Sequence, residues 1–137
     1  MRKIRAVLDT NVVVSALLHG GVNMAIADAW MRGRFLFCVT KEIIDEYARV
    51  LAYPKFKLSP EEVHRLMTRL IIPFVEPVSV GERISVVKVD PSDDKFVECA
   101  VAAKASVIVS GDKHLRDLGT YRKTKVISTK EFLTMIE

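Results

Sequence analysis

The feature that most constrains this chain is an alternation of two kinds of segment. Short apolar runs of strand length, Ile4 to Leu8, Phe35 to Val39, Val107 to Val109 and Lys125 to Ser128, are separated by longer stretches with helical period. The spacing predicts helices over 11–18, 23–32, 41–52, 92–104 and 112–118, and a last one opened by Ser128. Further extended pieces are predicted at 74–78 and 84–89. Strands that alternate with helices pair as a parallel sheet, with the helices packed on its faces. Local signals mark the element ends. Thr40 caps the helix beginning at Lys41, and Pro54 closes it. Ser59-Pro60-Glu61-Glu62 combines a cap, a first-position proline and a third-position Glu, a strong helix start. Ser128 with Glu131 repeats the cap-and-Glu pair at the last helix. No repeat, linker or low-complexity stretch interrupts the pattern, so residues 1–137 are read as one α/β domain.

Half of the residues are hydrophobic, enough for a sizeable core, and 21 Lys+Arg against 17 Asp+Glu leave a net charge of +4. A modest basic excess fits a polyanionic partner without proving one. Cys38 and Cys99 lie far apart, each in an apolar run, and read as small core residues of a reduced, cytoplasmic protein. The apolar run after Met1-Arg2-Lys3 is too short for a signal-peptide core, and no stretch approaches membrane-span length. The expectation is a cytoplasmic protein with no membrane partner.

The acids carry the functional argument. Asp9 closes the first apolar run, although a buried charge is costly unless something compensates it. Asp112 follows Val107-Ile108-Val109-Ser110-Gly111 at the end of another run. Parallel strands joined by right-handed crossovers put their carboxyl ends on one edge, where open α/β sheets build their sites. On the helix over 41–52, Glu46 sits at the seam between Ile43 and Val50, a position that favours it modestly over Asp45. Asp93 and Asp94 open the helix over 92–104, and Asp94 shares a face with Val97, Glu98 and Val101. Singly, each acid has a plain explanation as a helix cap or a solvated residue. Converging, they would repel one another and need cations to stay ionised. Such an all-oxygen set suits Mg²⁺ or Mn²⁺, whereas His19, His64 and His114 lack zinc-ligand spacing.

These residues carry a resemblance. VLDTNVVVSALL (7–18), EIIDEYARVLAYPKF (42–56), DPSDDKFVECAVAAKASVIVSGDKHLRDL (90–118) and VISTKEFL (126–133) resemble the PIN-domain family in order and over almost the whole chain. That family comprises metal-dependent ribonucleases, including VapC-like toxins of toxin–antitoxin pairs. The most specific stretch, DPSDDKFVECA followed by IVSGDKHL, is similar to a subgroup described as PIN toxin components. The resemblance implies a Rossmann-like, three-layer α/β/α sandwich with a mainly parallel sheet. It maps the family acids onto Asp9, Glu46, Asp94 and Asp112, with Asp93 the less certain choice for the third position. Those four would hold Mg²⁺ or Mn²⁺ and hydrolyse RNA phosphodiesters. Thr10, Asn11, Asp93 and Ser110 would support them. The implied partners are an RNA substrate, a cognate antitoxin and a second copy in a homodimer.

RNA approaching an acidic pocket needs positive charge nearby. Lys113, His114 and Arg116, then Arg122 and Lys123, follow Asp112 and are the expected RNA contacts; Lys55, Lys57, Arg65 and Arg69 form a weaker group. The segment 53–82 reads as a helix-plus-strand insertion that bears on partner choice, with an apolar stripe at Val63, Leu66, Met67, Leu70 and Ile71. Competing classes fare worse. A haloacid-dehalogenase-like phosphatase needs a second aspartate where this chain has Asn11, and no phosphate-binding glycine loop with its lysine is present. A PIN module that binds RNA or protein without cutting is the other alternative.

Overall fold

The computed structural model describes residues 3–137. Its frame is a six-stranded sheet. Strands β1 (Arg5–Leu8), β2 (Leu36–Val39), β3 (Val75–Pro77), β4 (Val107–Val109), β5 (Thr120–Tyr121) and β6 (Thr124–Ile127) lie in the order β3-β2-β1-β4-β6-β5. All neighbours pair in parallel except β5 with β6, which form an antiparallel hairpin. The α/β architecture with a mainly parallel sheet is the one predicted. The central strands are apolar on both faces: Ala6, Val7, Leu8, Val107, Ile108 and Val109 are all buried, as expected of a parallel sheet covered on both sides.

The helices are α1 (Thr10–Leu18), α2 (Val22–Met31), α3 (Lys41–Leu51), α4 (Pro60–Leu66), α5 (Asp94–Ala103), α6 (Lys113–Leu118) and α7 (Thr129–Met135). Thr40 caps α3 by accepting from the Ile43 amide. Ser59 and Ser128 form full capping boxes with Glu62 and Glu131. An aromatic cluster built from Trp30, Phe35, Phe37, Tyr47 and Phe132 fills one layer, with Phe35 and Phe132 edge-on at 4.8 Å. Helix α5 packs on β1, β2 and β4. No single helix among the described residues is long and apolar enough to cross a membrane.

The structure departs from the sequence reading in four places. Helix α2 starts at Val22 behind Gly21, earlier than the Asn23 cap predicted. The helix opened by Ser59 does not stop after α4: it loosens into a π turn over Met67–Ile71 and tightens into a 3₁₀ turn over Ile72–Phe74. Pro73 lacks the amide that would continue the helix, so the chain leaves into β3. Of the apolar stripe there, Met67 and Ile71 are buried, and the Leu70 carbonyl accepts from the Trp30 indole at 2.8 Å. The extended piece at 84–89 joins no sheet, because amides at its start are claimed by side chains of α5. Finally, Ser92 does not cap α5: its amide and hydroxyl both donate to Asp90, within a 3₁₀ turn over Pro91–Asp93.

Candidate active site

The register of β1 and β4 brings two carboxylates together. Leu8 lies opposite Val109, and the Asp9 amide donates to the Val109 carbonyl at 3.0 Å. Asp9 and Ser110 therefore leave adjacent strands side by side. Ser110 is fully buried, and its hydroxyl serves both acids: it donates to Asp9 Oδ2 at 2.7 Å and accepts from the Asp112 amide at 2.9 Å. Asp112 caps α6 through Oδ1, which accepts from the His114 and Leu115 amides at 2.7 and 3.3 Å. Asp9 itself is only 5% exposed. Burial, offset in part by the Ser110 hydrogen bond and reinforced by repulsion from Asp112 and Glu46, pushes its carboxyl up to about 6.

Glu46 reaches the same edge from α3. The neighbouring Tyr47 is fully buried, and its hydroxyl donates to the Leu8 carbonyl, fastening α3 to the end of β1 beside Asp9. One Glu46 oxygen accepts from the Thr10 hydroxyl; the other accepts from the Lys95 ammonium, with Arg49 Nη2 at 3.4 Å. Asp45, the alternative on that helix, is exposed and paired with Lys41 instead.

The two aspartates at the start of α5 separate. Asp94 is buried, and its Oδ1 accepts from the amides of Val86 and Val87 at 3.0 and 2.8 Å. One turn on, buried Glu98 accepts from the Ile84 amide at 2.9 Å and from Arg83 at 3.2 Å. These two acids strap the segment 83–87 against α5. Asp94, expected beside Asp9, Glu46 and Asp112, thus commits Oδ1 to the strap. Its neighbour Asp93 is half-buried and feels the charge of that group. Burial, then repulsion from Asp9, Asp90, Asp112 and Glu46, pushes its carboxyl up to about 7. The sequence could not separate them: neighbouring helix positions differ by about 100°, and the phase depends on where the helix starts.

Of the supporting residues, Thr10 and Ser110 hold Glu46 and Asp9, whereas Asn11 is exposed on α1. Among the expected RNA contacts, Lys113, His114 and Arg116 are exposed on α6, directly after Asp112, with Lys113 paired to Asp117 and Arg116 to Glu131. Arg122 and Lys123 are not near the acids. They form the turn of the β5–β6 hairpin, ahead of the first residue of β6, at the opposite edge of the sheet beside Lys104 and Ala105. Arg122 is also held by both carboxylate oxygens of Glu82, at 2.8 and 3.1 Å. The hairpin reverses the chain after α6, which sequence proximity to Asp112 conceals. Sequence reasoning misses Lys95, and it reads Tyr47 only as part of the packed face of its helix. A lysine in the first turn of a helix opposes the helix dipole, and that is the one signal that could have found Lys95.

The donors fit a hard divalent cation by type: four carboxylates and two hydroxyls, with no thiolate or imidazole among them. Among the described residues they do not stand as a closed ligand cage of three or more. Glu46 is turned to Lys95 and Thr10, and the hydrogen bonds to the Asp112 carboxylate all go to Oδ1.

A mainly parallel sheet with a buried aspartate and partly buried acids at its carboxyl edge defines a Rossmann-like domain with an acidic edge. The chain belongs to the PIN-domain family: the PIN domain model matches residues 5–114. It is 30% identical over 148 residues to an uncharacterized protein, MJ1680, of Methanocaldococcus jannaschii, covering 98% of this chain and 93% of that one. Solved structures share the fold. PAE2754 from Pyrobaculum aerophilum superposes with a TM-score of 0.65 at 17% identity, covering 97% of this chain and 89% of that chain. VapBC2 from Rickettsia felis, bound to a DNA fragment from its promoter, gives 0.63 at 10% identity, with 91% and 98% covered. FitAB bound to the IR36 DNA fragment gives 0.56 at 17% identity, with 90% and 94% covered.

Proposed function

We propose that this PIN-domain chain is a metal-dependent endoribonuclease, the toxin of a toxin–antitoxin pair. The observation that carries the reading is the convergence of Asp9, Glu46, Asp93 and Asp112 at one sheet edge, where burial and mutual repulsion raise the Asp9 carboxyl to about 6 and the Asp93 carboxyl to about 7. Acids so crowded are suited to binding positive charge. In this reading Asp93 takes the role first expected of Asp94, and Mg²⁺ or Mn²⁺ would be held by Asp9, Asp93 and Asp112 together with Glu46.

When bound, the ion supplies a Lewis acid at the scissile phosphate and an attacking water of lowered pKa. The chain's own residues supply the rest. Ser110 aims the Asp9 carboxylate and holds the Asp112 backbone, so the two acids keep one relative geometry. Thr10 orients Glu46, and Tyr47 fixes the helix that carries it. Lys113, His114 and Arg116, at the mouth of the acidic edge, offset its repulsion of an RNA backbone. The same reading includes an antitoxin partner, in line with the fold shared with VapBC2 and FitAB, and a cytoplasmic homodimer.

The test is incubation with structured and single-stranded RNAs in Mg²⁺, Mn²⁺ or EDTA, beside Asp9→Asn and Asp112→Asn. Metal-dependent cleavage lost in both variants is the expected result. RNA binding with no cleavage under any condition would favour the non-catalytic module, and cleavage that survives both variants would remove these acids from the reaction.

A further inference from the structure

We infer that Lys95 is the built-in counter-cation of the acidic site, holding Glu46 in place and competing with a divalent ion for that carboxylate. The inference rests on the metal-site reading above. Lys95 is the one buried lysine among the described residues, and its side chain is only 9% exposed. Its ammonium contacts Glu46, whose side chain is 14% exposed. A buried ammonium is costly without a partner, so this placement depends on the acids around it.

Its position on α5 supports the same conclusion. Lys95 is the second residue of that helix, where the backbone dipole disfavours a cation. Local preference therefore argues against it, and the compensation is tertiary. Three consecutive charged residues divide the work: Asp93 feels the charge of the acids, Asp94 accepts from the strap amides, and Lys95 crosses to α3. The other cation near Glu46, Arg49, is 60% exposed and stands at 3.4 Å, so water screens it far more.

Two consequences follow. With Lys95 in place, Glu46 has both oxygens hydrogen-bonded, one by Thr10 and one by the ammonium, so a divalent ion either shares that carboxylate with the ammonium or displaces it. The ammonium also adds a positive charge within a few ångströms of any ion bound there, which opposes binding. Lys95 is thus a positioning residue that stabilises the fold when no divalent ion is present and weakens metal affinity.

The experiment uses the full chain and Mn²⁺ alone as probe. Mn²⁺ affinity is measured by calorimetry, and melting is followed in EDTA, for wild type, Lys95→Met, Lys95→Arg, Glu46→Gln, the double variant and Asp9→Asn. In EDTA, Lys95→Met is expected to melt about 3–6 °C lower, Lys95→Arg near wild type, and the methionine change to cost little in a Glu46→Gln background. Mn²⁺ affinity of Lys95→Met is expected to rise roughly tenfold. The inference is overturned if Lys95→Met binds Mn²⁺ no more tightly than wild type while Asp9→Asn loses it. It is equally overturned if the methionine change costs as much in the Glu46→Gln background as in wild type. If Asp9→Asn binds Mn²⁺ like wild type, the metal-site reading itself fails, and the competition role of Lys95 falls with it.

Discussion

The ends of β1 and β4 and the start of α5 both present acids to the same edge, yet they hold them differently. At the strand ends, each acid is placed by sheet register: Asp9 pairs its backbone with Val109, and Ser110 links it to Asp112. At the start of α5, two adjacent aspartates part ways: Asp94 holds the amides of Val86 and Val87, and Asp93 carries the repulsion of Asp9, Asp90 and Asp112. A strand end positions a side chain through hydrogen bonds that leave little freedom. A helix start positions it through phase, which depends on what packs against the first turn. Here that is the strap over 83–87.

The largest expected effect tests this contrast in the chemistry. Asp9→Asn, Asp112→Asn and Asp93→Asn should each lower the initial rate of RNA cleavage about a thousandfold or more. Asp94→Asn keeps an oxygen for the strap amides and should stay within about tenfold of wild type. An inactive Asp94→Asn beside an active Asp93→Asn would reverse the assignment.

Stability should show the opposite ranking. Asp94→Ala leaves two amides without their charged acceptor and should cost about 2–4 kcal/mol in denaturant unfolding. Asp93→Ala, which releases a crowded carboxylate, should cost little or stabilise at about pH 8. Equal losses in the two variants would mean that both aspartates hold the strap.

The pH profile sharpens the same point. Folding raises the carboxyls of Asp9 and Asp93 to about 6 and about 7, from an ordinary 3.8, so the folded chain binds these protons more tightly than the unfolded chain. The stability they contribute is complete below about pH 4 and is lost as the pH rises through 6 and then 7. In EDTA the melting midpoint should therefore fall between about pH 4 and 7 and level off above, and Asp9→Asn should flatten that fall by about 3–6 °C. A profile unchanged by Asp9→Asn would contradict the crowding of the acids.

The smallest effects are expected from the basic residues. Charge removal at Lys113 or Arg116 should lower the salt dependence of RNA binding by up to about one phosphate contact each. Arg122→Gln and Lys123→Gln, at the far edge of the sheet, should leave that slope unchanged. A drop as large as that for Lys113 would mean that RNA runs across both edges.

Much of the molecule is legible in the order of its amino acids. Asp9 and Asp112 can be placed at strand ends because Ala6-Val7-Leu8 and Val107-Ile108-Val109 are short, fully apolar and followed at once by polar residues. Glu46 stands out from Asp45 through its place at the seam of an amphipathic helix, and it is the one at the sheet edge. Other features are hidden. Ile84 to Val89 has the composition of a strand, but Asp94 and Glu98 take three of its amides out of any ladder. Lys95 reads as an ordinary charged residue in a helical run. Arg122 and Lys123 read as close to Asp112 because nothing in the residue order marks the hairpin that carries them away.

The sequence by itself determined the alternation of strands and helices and the presence of carboxylates where parallel strands end. Both are local properties, written in apolar periodicity and in the residue that follows each run. Only the tertiary structure decided which of two neighbouring aspartates holds the amides of the strap, which cation meets Glu46 and which edge the basic hairpin occupies. Those choices turn on the phase of a helix start and the direction of a turn. One residue rotates a helical side chain by about 100°, and the contacts that select among such rotations come from segments distant in the chain.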